Sequence, residues 1–359
     1  MSPGERPLRV LHGTYEIAGQ GMVLAAGLRA VGCEARSLAY RVDWDGRVPD
    51  FVTELDRLPN DLVRAAVMAG ELARRAPAFD VFHLHFGTSF LPRQLDLPIL
   101  KAMGKTIVFH FHGCEIRDRA HMLKTHALAT CTECDPFCRP PHQKWLRAQA
   151  ARYADRVFYS TLDLAESVPG GHWLPLAIES ARWEAAGRAT PLPDPMRRDG
   201  IQGPVVIAHA PTNRLIKGTR FVEEAVTALR EEFPRLELRL IDRRPWAEMP
   251  SILAACDILV DQLMMGWYGL LAIEGMSMGR AVVCHVREDF SPVLGEGPIV
   301  DARPDTLTEV LRGLVRDPAR RRALGERGVA YARAHHDAAA VGEILLEHYR
   351  EIRRAKAVS

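Results

Sequence analysis

Several short apolar runs in this chain stop at a glycine or a small polar residue, and stretches of helical periodicity separate them. FDVFHLHFG (79–87), KTIVFHFHG (105–113) and DRVFYST (155–161) are of this kind. A strand that is apolar along its whole length is buried on both faces, which is the pattern of a parallel sheet covered by helices. DLVRAAVMAGELARR (61–75) supplies one such helix. The first run, LRVLHGTYE, leads through a loop with Gly13, Gly19 and Gly21 into a helix through Leu24, Leu28 and Val31. This alternation predicts an α/β fold with parallel strands.

The alternation then stops and restarts. Residues 179–204 are rich in Pro, Arg and Gly without sustained periodicity, which predicts a boundary or hinge. Beyond them come strand VVIAH (205–209), helix FVEEAVTALREEF, strand LELRLI (236–241), a short helix near 247–255, strand DILVD, a helix around Glu274 and strand AVVCH. From Thr306 the pattern is mostly helical. A length of 359 residues exceeds the roughly 100–200 of a usual domain. The expected division is a Rossmann-like domain over 1–178, a boundary over 179–204 and a second Rossmann-like domain over 205–335. A C-terminal helix over 336–359 is placed to return to the first domain.

Composition narrows the function. A net charge of +2 with scattered arginines argues against nucleic acid as a partner. No uninterrupted apolar stretch reaches the roughly 18 residues of a membrane span, and the N-terminus has no signal-peptide core, so a cytoplasmic location is expected. The C-terminal REIRRAK, with Arg152 and Arg156, offers a contact with anionic lipid at the inner face of a membrane, although a solvated basic face is the plainer reading.

HAPTNRLIKG places Arg214, Lys217 and Gly218 between a strand and a helix, where backbone N–H groups and the helix dipole favour an anion. Charge-assisted hydrogen bonds contribute roughly 1.5–3 kcal/mol each against about 0.3–1 for the dipole, so the two side chains should dominate. A nucleoside diphosphate suits them. Gly19 and Gly21 could bring backbone to the same diphosphate, or serve only the turn.

Cys131, Cys134 and Cys138 form C-x2-C-x3-C, with Cys114 as a fourth candidate ligand and His126 or His142 as substitutes for it. The spacing fits a structural tetrahedral zinc ordering residues 114–142. An iron–sulfur cluster is less favoured, and unligated thiols remain the alternative. His83 and His85 share one strand face, as do His110 and His112; they are read as hydrogen-bonded packing rather than as a metal site.

Taken together, HAPTNRLIKGTRFVEEAVTAL, CDILVDQLMMGWYGLLAIEGMSMGRAVVCHVRED, HFHGCEIR, LVRDPARRRALGERGVAYARAHHD and the N-terminal strand with its glycine loop resemble the group-1, family 4-like retaining nucleotide-sugar glycosyltransferases. The resemblance covers most of the chain and implies the GT-B fold, two Rossmann-like domains facing a cleft. It gives Arg214 and Lys217 the donor diphosphate and Glu274 the ribose. It turns the backbone of Gly269, Leu270 and Leu271 toward the donor, and sets His112 against the donor sugar and acceptor. Gly266 stands where the first glutamate of E-x7-E is usual, with Asp261 as the nearby substitute. The implied reaction moves a sugar to a hydroxyl of a glycan, a lipid-linked acceptor or a small molecule, with retention and no catalytic metal. A nucleotide-sugar epimerase or hydrolase, and a binding protein without turnover, are the alternatives.

Overall fold

The computed structural model describes residues 6–42, 45–134, 138–190 and 198–358. The chain divides into two compact units. Unit 1 comprises Met1–Asp118, Cys138–Ala177 and Asp337–Ser359, and unit 2 comprises Arg119–Phe137 and Ile178–His336. No helix among the described residues is long and apolar enough to cross a membrane.

Unit 1 is built on a seven-stranded sheet of β1 (Arg9–Gly13), β2 (Glu34–Ala39), β3 (Phe51–Val52), β4 (Val81–His85), β5 (Thr106–Phe111), β6 (Arg156–Tyr159) and β7 (His172–Trp173). All pairings are parallel, in the order β3-β2-β1-β4-β5-β6-β7. The chain leaves β1 toward β2 on one side and later returns to β4 on the other, so the topological switch lies between β1 and β4. Three strands were not evident in the sequence. β2 begins with exposed and buried positions in alternation, and β3 and β7 are two-residue edge strands, too short to form a recognisable run.

Helix α1 (Gln20–Ala30) and the C-terminal helix (Ala338–Val358) pack together in unit 1. Leu24, Leu28, Val341, Leu345 and Tyr349 share a core with Val10, Val81, Val108 and Phe158. Each large apolar side chain so buried contributes roughly 1.5–3 kcal/mol. The two helices cross where neither has a side chain. A Cβ on Gly342 would stand 2.6 Å from the Gly27 carbonyl group, and one on Gly27 would fall on the Ala338 carbonyl oxygen.

Unit 2 holds a five-stranded parallel sheet in the order β12-β11-β10-β8-β9. Its strands are β8 (Val205–His209), β9 (Leu236–Leu240), β10 (Ile258–Val260), β11 (Ala281–Cys284) and β12 (Ile299–Asp301). Here the switch lies between β8 and β10. The segment expected to be irregular contains a helix, α2 (Ser180–Ala189), while residues 191–197 lie outside the described residues. Its buried face is Ser180, Trp183 and Glu184. A serine and a glutamate on the inner face conceal the apolar period that would have marked a helix. Arg333 donates to both Glu184 oxygens, at 3.1 and 2.6 Å. Further on are α3 (Arg214–Lys217), α4 (Thr219–Leu229), α5 (Leu270–Ser277) and α6 (Leu307–Arg316). Val222 and Val226 of α4 and Leu307, Leu311 and Leu314 of α6 close the core over Val205, Ile207, Val260 and Val283.

Candidate active site

The switch point of unit 2 is where the sequence-predicted cations fall. Asn213 caps α3, its side chain accepting from the N–H groups of Leu215 and Ile216, and Gly218 ends that turn in the left-handed region, φ 76°. Arg214 and Lys217 are thereby fixed on one short turn after β8. Arg214 is half exposed, 3.8 Å from Glu223. Lys217 is largely covered; its Nζ donates to Asp261 Oδ1 at 3.1 Å and to Gln262 Oε1, both just after β10. The Lys217 carbonyl accepts from Leu263 N–H at 3.2 Å, which ties the two strand ends together.

Asp261 is buried and both its oxygens are used, since Oδ2 accepts the Gly269 N–H at 2.6 Å. It therefore holds Lys217 and the start of α5 in place. The Gly269 N–H is also committed. Leu270 and Leu271 are in the first turn of α5, where N–H groups have no intrahelical acceptor. Glu274 lies one turn further along, buried in α5. Gly266 has φ 74°, and a Cβ there would stand 2.7 Å from the Arg287 side chain. Arg287 is itself pinned by Asp289, by His126 Nε2 at 3.0 Å and over the Phe290 ring. The left-handed backbone and this filled space account for glycine at 266.

In unit 1 the glycine loop follows β1. Gly19 is left-handed at φ 79°, with the Arg47 side chain against it. The Gly21 N–H is already taken. Glu16 accepts from Gly21 N at 2.9 Å and from Met22 N at 3.2 Å, so a carboxylate of the chain itself sits at the start of α1, where the loop was expected to meet the donor diphosphate. Burial pushes the Glu16 carboxyl up to about 7. His112, just past β5, has both ring nitrogens engaged: Nε2 with His85 Nδ1 at 2.9 Å and Nδ1 with Ser160 Oγ at 2.6 Å. Its backbone N–H donates to Glu115, whose carboxyl burial likewise raises to about 7.

Comparison with solved structures finds this arrangement of elements in known enzymes. Sucrose-phosphate synthase from Thermosynechococcus elongatus matches with a TM-score of 0.67 at 15% identity, over 98% of this chain and 100% of that one. Anabaena HepE in complex with UDP and glucose gives 0.63 at 12% identity, over 96% and 100%. The catalytic domain of starch synthase IV from Arabidopsis thaliana, bound to ADP and acarbose, gives 0.62 at 13% identity, over 97% and 100%. The fold is GT-B. A comparison with protein-family profiles finds no match, and neither does one with curated protein sequences.

Within this GT-B chain the four cysteines are shared between the units, Cys114 and Cys138 in unit 1, Cys131 and Cys134 in unit 2. Neither unit by itself holds more than two of the four thiolates of a zinc tetrad. Cys131 is buried against Met122 and Ala129, the Cys134 thiol lies 3.8 Å from the Cys131 carbonyl, and Cys114 Sγ accepts from Arg117 at 3.2 Å. Residues 135–137 are outside the described residues. His126 spends Nε2 on Arg287, and His142 stacks on Trp145. Among the described residues, the groups of three or more potential metal ligands within reach of one another consist of histidines: His12/His83/His85 and His85/His110/His112.

Sequence reasoning missed Glu16, Glu115 and Ser160 in the GT-B framework. Glu16 had one signal, an acid five residues before a glycine at a helix start. Ser160 had none, since its partners His110 and His112 lie on and just past β5 and it follows β6.

Proposed function

We propose that the chain is a retaining glycosyltransferase that moves a sugar from a nucleoside diphosphate sugar to a hydroxyl acceptor. The observation that carries this reading is Lys217, fixed by Asp261 and Gln262 at the switch point of unit 2 beside the N-terminus of α5. Charge grows on the diphosphate as the glycosidic bond breaks, and preorganised donors there favour the transition state over the ground state. Lys217 and Arg214 are the two cations on the α3 turn, and the first-turn N–H groups of Leu270 and Leu271 add dipoles of the same sense. Glu274 is the residue for the nucleotide ribose. The acceptor approaches from the face the diphosphate leaves and gives its proton to the departing phosphate, so no protein nucleophile is required.

The UDP of HepE and the ADP of starch synthase IV make these two nucleotides the first probes. Thermal stabilisation by UDP or ADP, lost in Lys217→Ala, is expected; equal stabilisation of the variant and the parent would remove the role of Lys217. Product analysis with and without acceptor separates transfer from epimerisation or hydrolysis. Binding without turnover is the second reading, favoured by Gly266 and the closed-off carboxylate of Asp261. Cys114, Cys131, Cys134 and Cys138 remain our proposed ligands for a structural zinc. One zinc per purified chain is expected; protein with neither zinc nor iron would end that reading.

A further inference from the structure

Five histidines of unit 1 lie on one face of the sheet around the β1/β4 switch point, all buried or nearly so: His12, His83, His85, His110 and His112. Four of them are joined in one line. His12 Nδ1 meets His85 Nε2 at 3.0 Å, and His85 Nδ1 meets His112 Nε2 at 2.9 Å. Beyond these, His112 Nδ1 and His110 Nε2 meet the Ser160 hydroxyl at 2.6 and 3.1 Å. The line has two ends, His12 Nε2 and His110 Nδ1, and both are buried without a hydrogen-bond partner among the described residues.

A neutral imidazole has one N–H and one lone pair. Across each N···N contact, one ring must donate and the other accept. If His12 donates from Nδ1, then His85 accepts at Nε2 and must itself donate from Nδ1, and His112 must do the same toward Ser160. If His112 donates from Nε2, every step reverses. The three rings therefore share one tautomer, all Nδ1–H or all Nε2–H. The Ser160 hydroxyl extends the rule to His110 when it passes the sense on; its other acceptor, the Phe111 carbonyl, is longer at 3.4 Å. A protonated His85 would donate to both neighbours, leaving His12 as Nε2–H and His112 as Nδ1–H, so the common tautomer holds only while the rings are neutral.

We propose that His12, His85, His112 and Ser160 form a single-tautomer chain that fixes the orientation of the His112 ring, making His112 and Ser160 positioning residues for the strand end of β5. The chain's existence stands on this geometry alone; its value to transfer rests on the glycosyltransferase reading. A metal ion is the competing explanation of so many imidazoles. The ring planes oppose it in His12/His83/His85, where His12/His83 and His83/His85 stack with interplanar angles of 26° and 17°; in His85/His110/His112 the hydrogen bonds to Ser160 occupy a nitrogen of both His110 and His112. Lone pairs lie in the ring planes, and near-parallel stacked rings do not aim three of them at one point. The surroundings favour neutral rings. Tyr349 OH meets His83 Nδ1 at 2.6 Å from the C-terminal helix, Phe158 stacks on His83 from β6, Arg29 acts on His12 from α1, and Glu115 accepts the His112 backbone N–H. Burial holds all five imidazoles below the usual histidine range.

The test is long-range 15N–1H correlation on the full chain labelled at histidine, recorded from pH 5 to 8. His12, His85 and His112 are expected in one common tautomer. Different tautomers on His85 and His112, or a stoichiometric metal ion that stays bound when Cys114, Cys131, Cys134 and Cys138 are replaced by serine, would overturn the chain. In Ser160→Ala, His112 should lose its single tautomer, with Ser160→Thr restoring it; an unchanged His112 in the alanine variant would remove Ser160 from the proposal. With a sugar nucleotide turned over, Ser160→Ala should lower kcat several-fold and leave UDP affinity unchanged. UDP affinity itself reports on unit 2, so failure of the donor site and failure of the histidine chain give different results.

Discussion

Lys217 has two tasks that can be separated by substitution. It carries charge to the candidate diphosphate site, and it neutralises Asp261, which is fully buried. Lys217→Met should weaken UDP binding about 10- to 100-fold, the range set by a charge-assisted hydrogen bond of roughly 1.5–3 kcal/mol, and should also lower stability because a buried carboxylate loses its partner. Adding Asp261→Asn should recover the stability but not the affinity, as read by urea titration and calorimetry side by side. The two cations were legible in the sequence because a basic pair between a strand and a helix has an evident physical use. The bonds of Asp261 to Lys217 and to the Gly269 N–H were not legible, since one partner is a backbone group and only the fold brings it there. Glu16 makes a second residue-scale prediction. Its folded carboxyl titrates near 7, above the ordinary range, so the folded state retains the proton to higher pH than the unfolded chain. Stability from this source is complete below the unfolded value and is lost as pH rises through about 7; Glu115 acts in the same direction. At about 1.4 kcal/mol per pKa unit, each group accounts for a decline of about 3 kcal/mol between pH 4.5 and 7. Glu16→Gln should flatten about half of that slope in denaturation curves measured across the window.

Among the elements, the contact of α1 with the C-terminal helix depends on Gly27 and Gly342 more than on any leucine around them. Gly342→Ala places a methyl group 2.6 Å from the Gly27 carbonyl group, which the helices can accept only by moving apart. Overpacking of this kind costs about 1–3 kcal/mol, and the shared core of Leu24, Leu28 and Leu345 would be strained with it. The urea midpoint of the variant should fall, and hydrogen exchange should quicken in both helices. Long elements were readable: β4, β5, β6 and β8 are continuous apolar runs, and α6 and the C-terminal helix have clear periods. The α2 helix was not, because Trp183 is its only large apolar inward residue. Nor were β3 and β7, whose pairing comes from neighbouring strands rather than from their own residues.

For the whole molecule, the division into units does not follow the order of the sequence. Unit 1 draws on three separate segments, and its last, Asp337–Ser359, carries the Tyr349 hydroxyl to His83 and Gly342 to Gly27. A chain ending at His336 should retain slow-exchanging amides in β8, β10 and β11 while those of β1 and β4 become labile; equal protection in both sheets would show that unit 1 does not need its third segment. The restart at Val205 signals a second sheet, whereas the Gly27/Gly342 crossing joins residues more than three hundred positions apart.

That crossing also fixes a schedule. A ribosome makes the strands β1–β7 of unit 1 before the strands β8–β12 of unit 2, and only then the helix that covers α1. Domains ordinarily fold in the order in which they emerge. Here the unit whose strands come earlier is completed later, and its histidine-lined sheet must wait for Asp337–Ser359 while unit 2 already has every strand it needs.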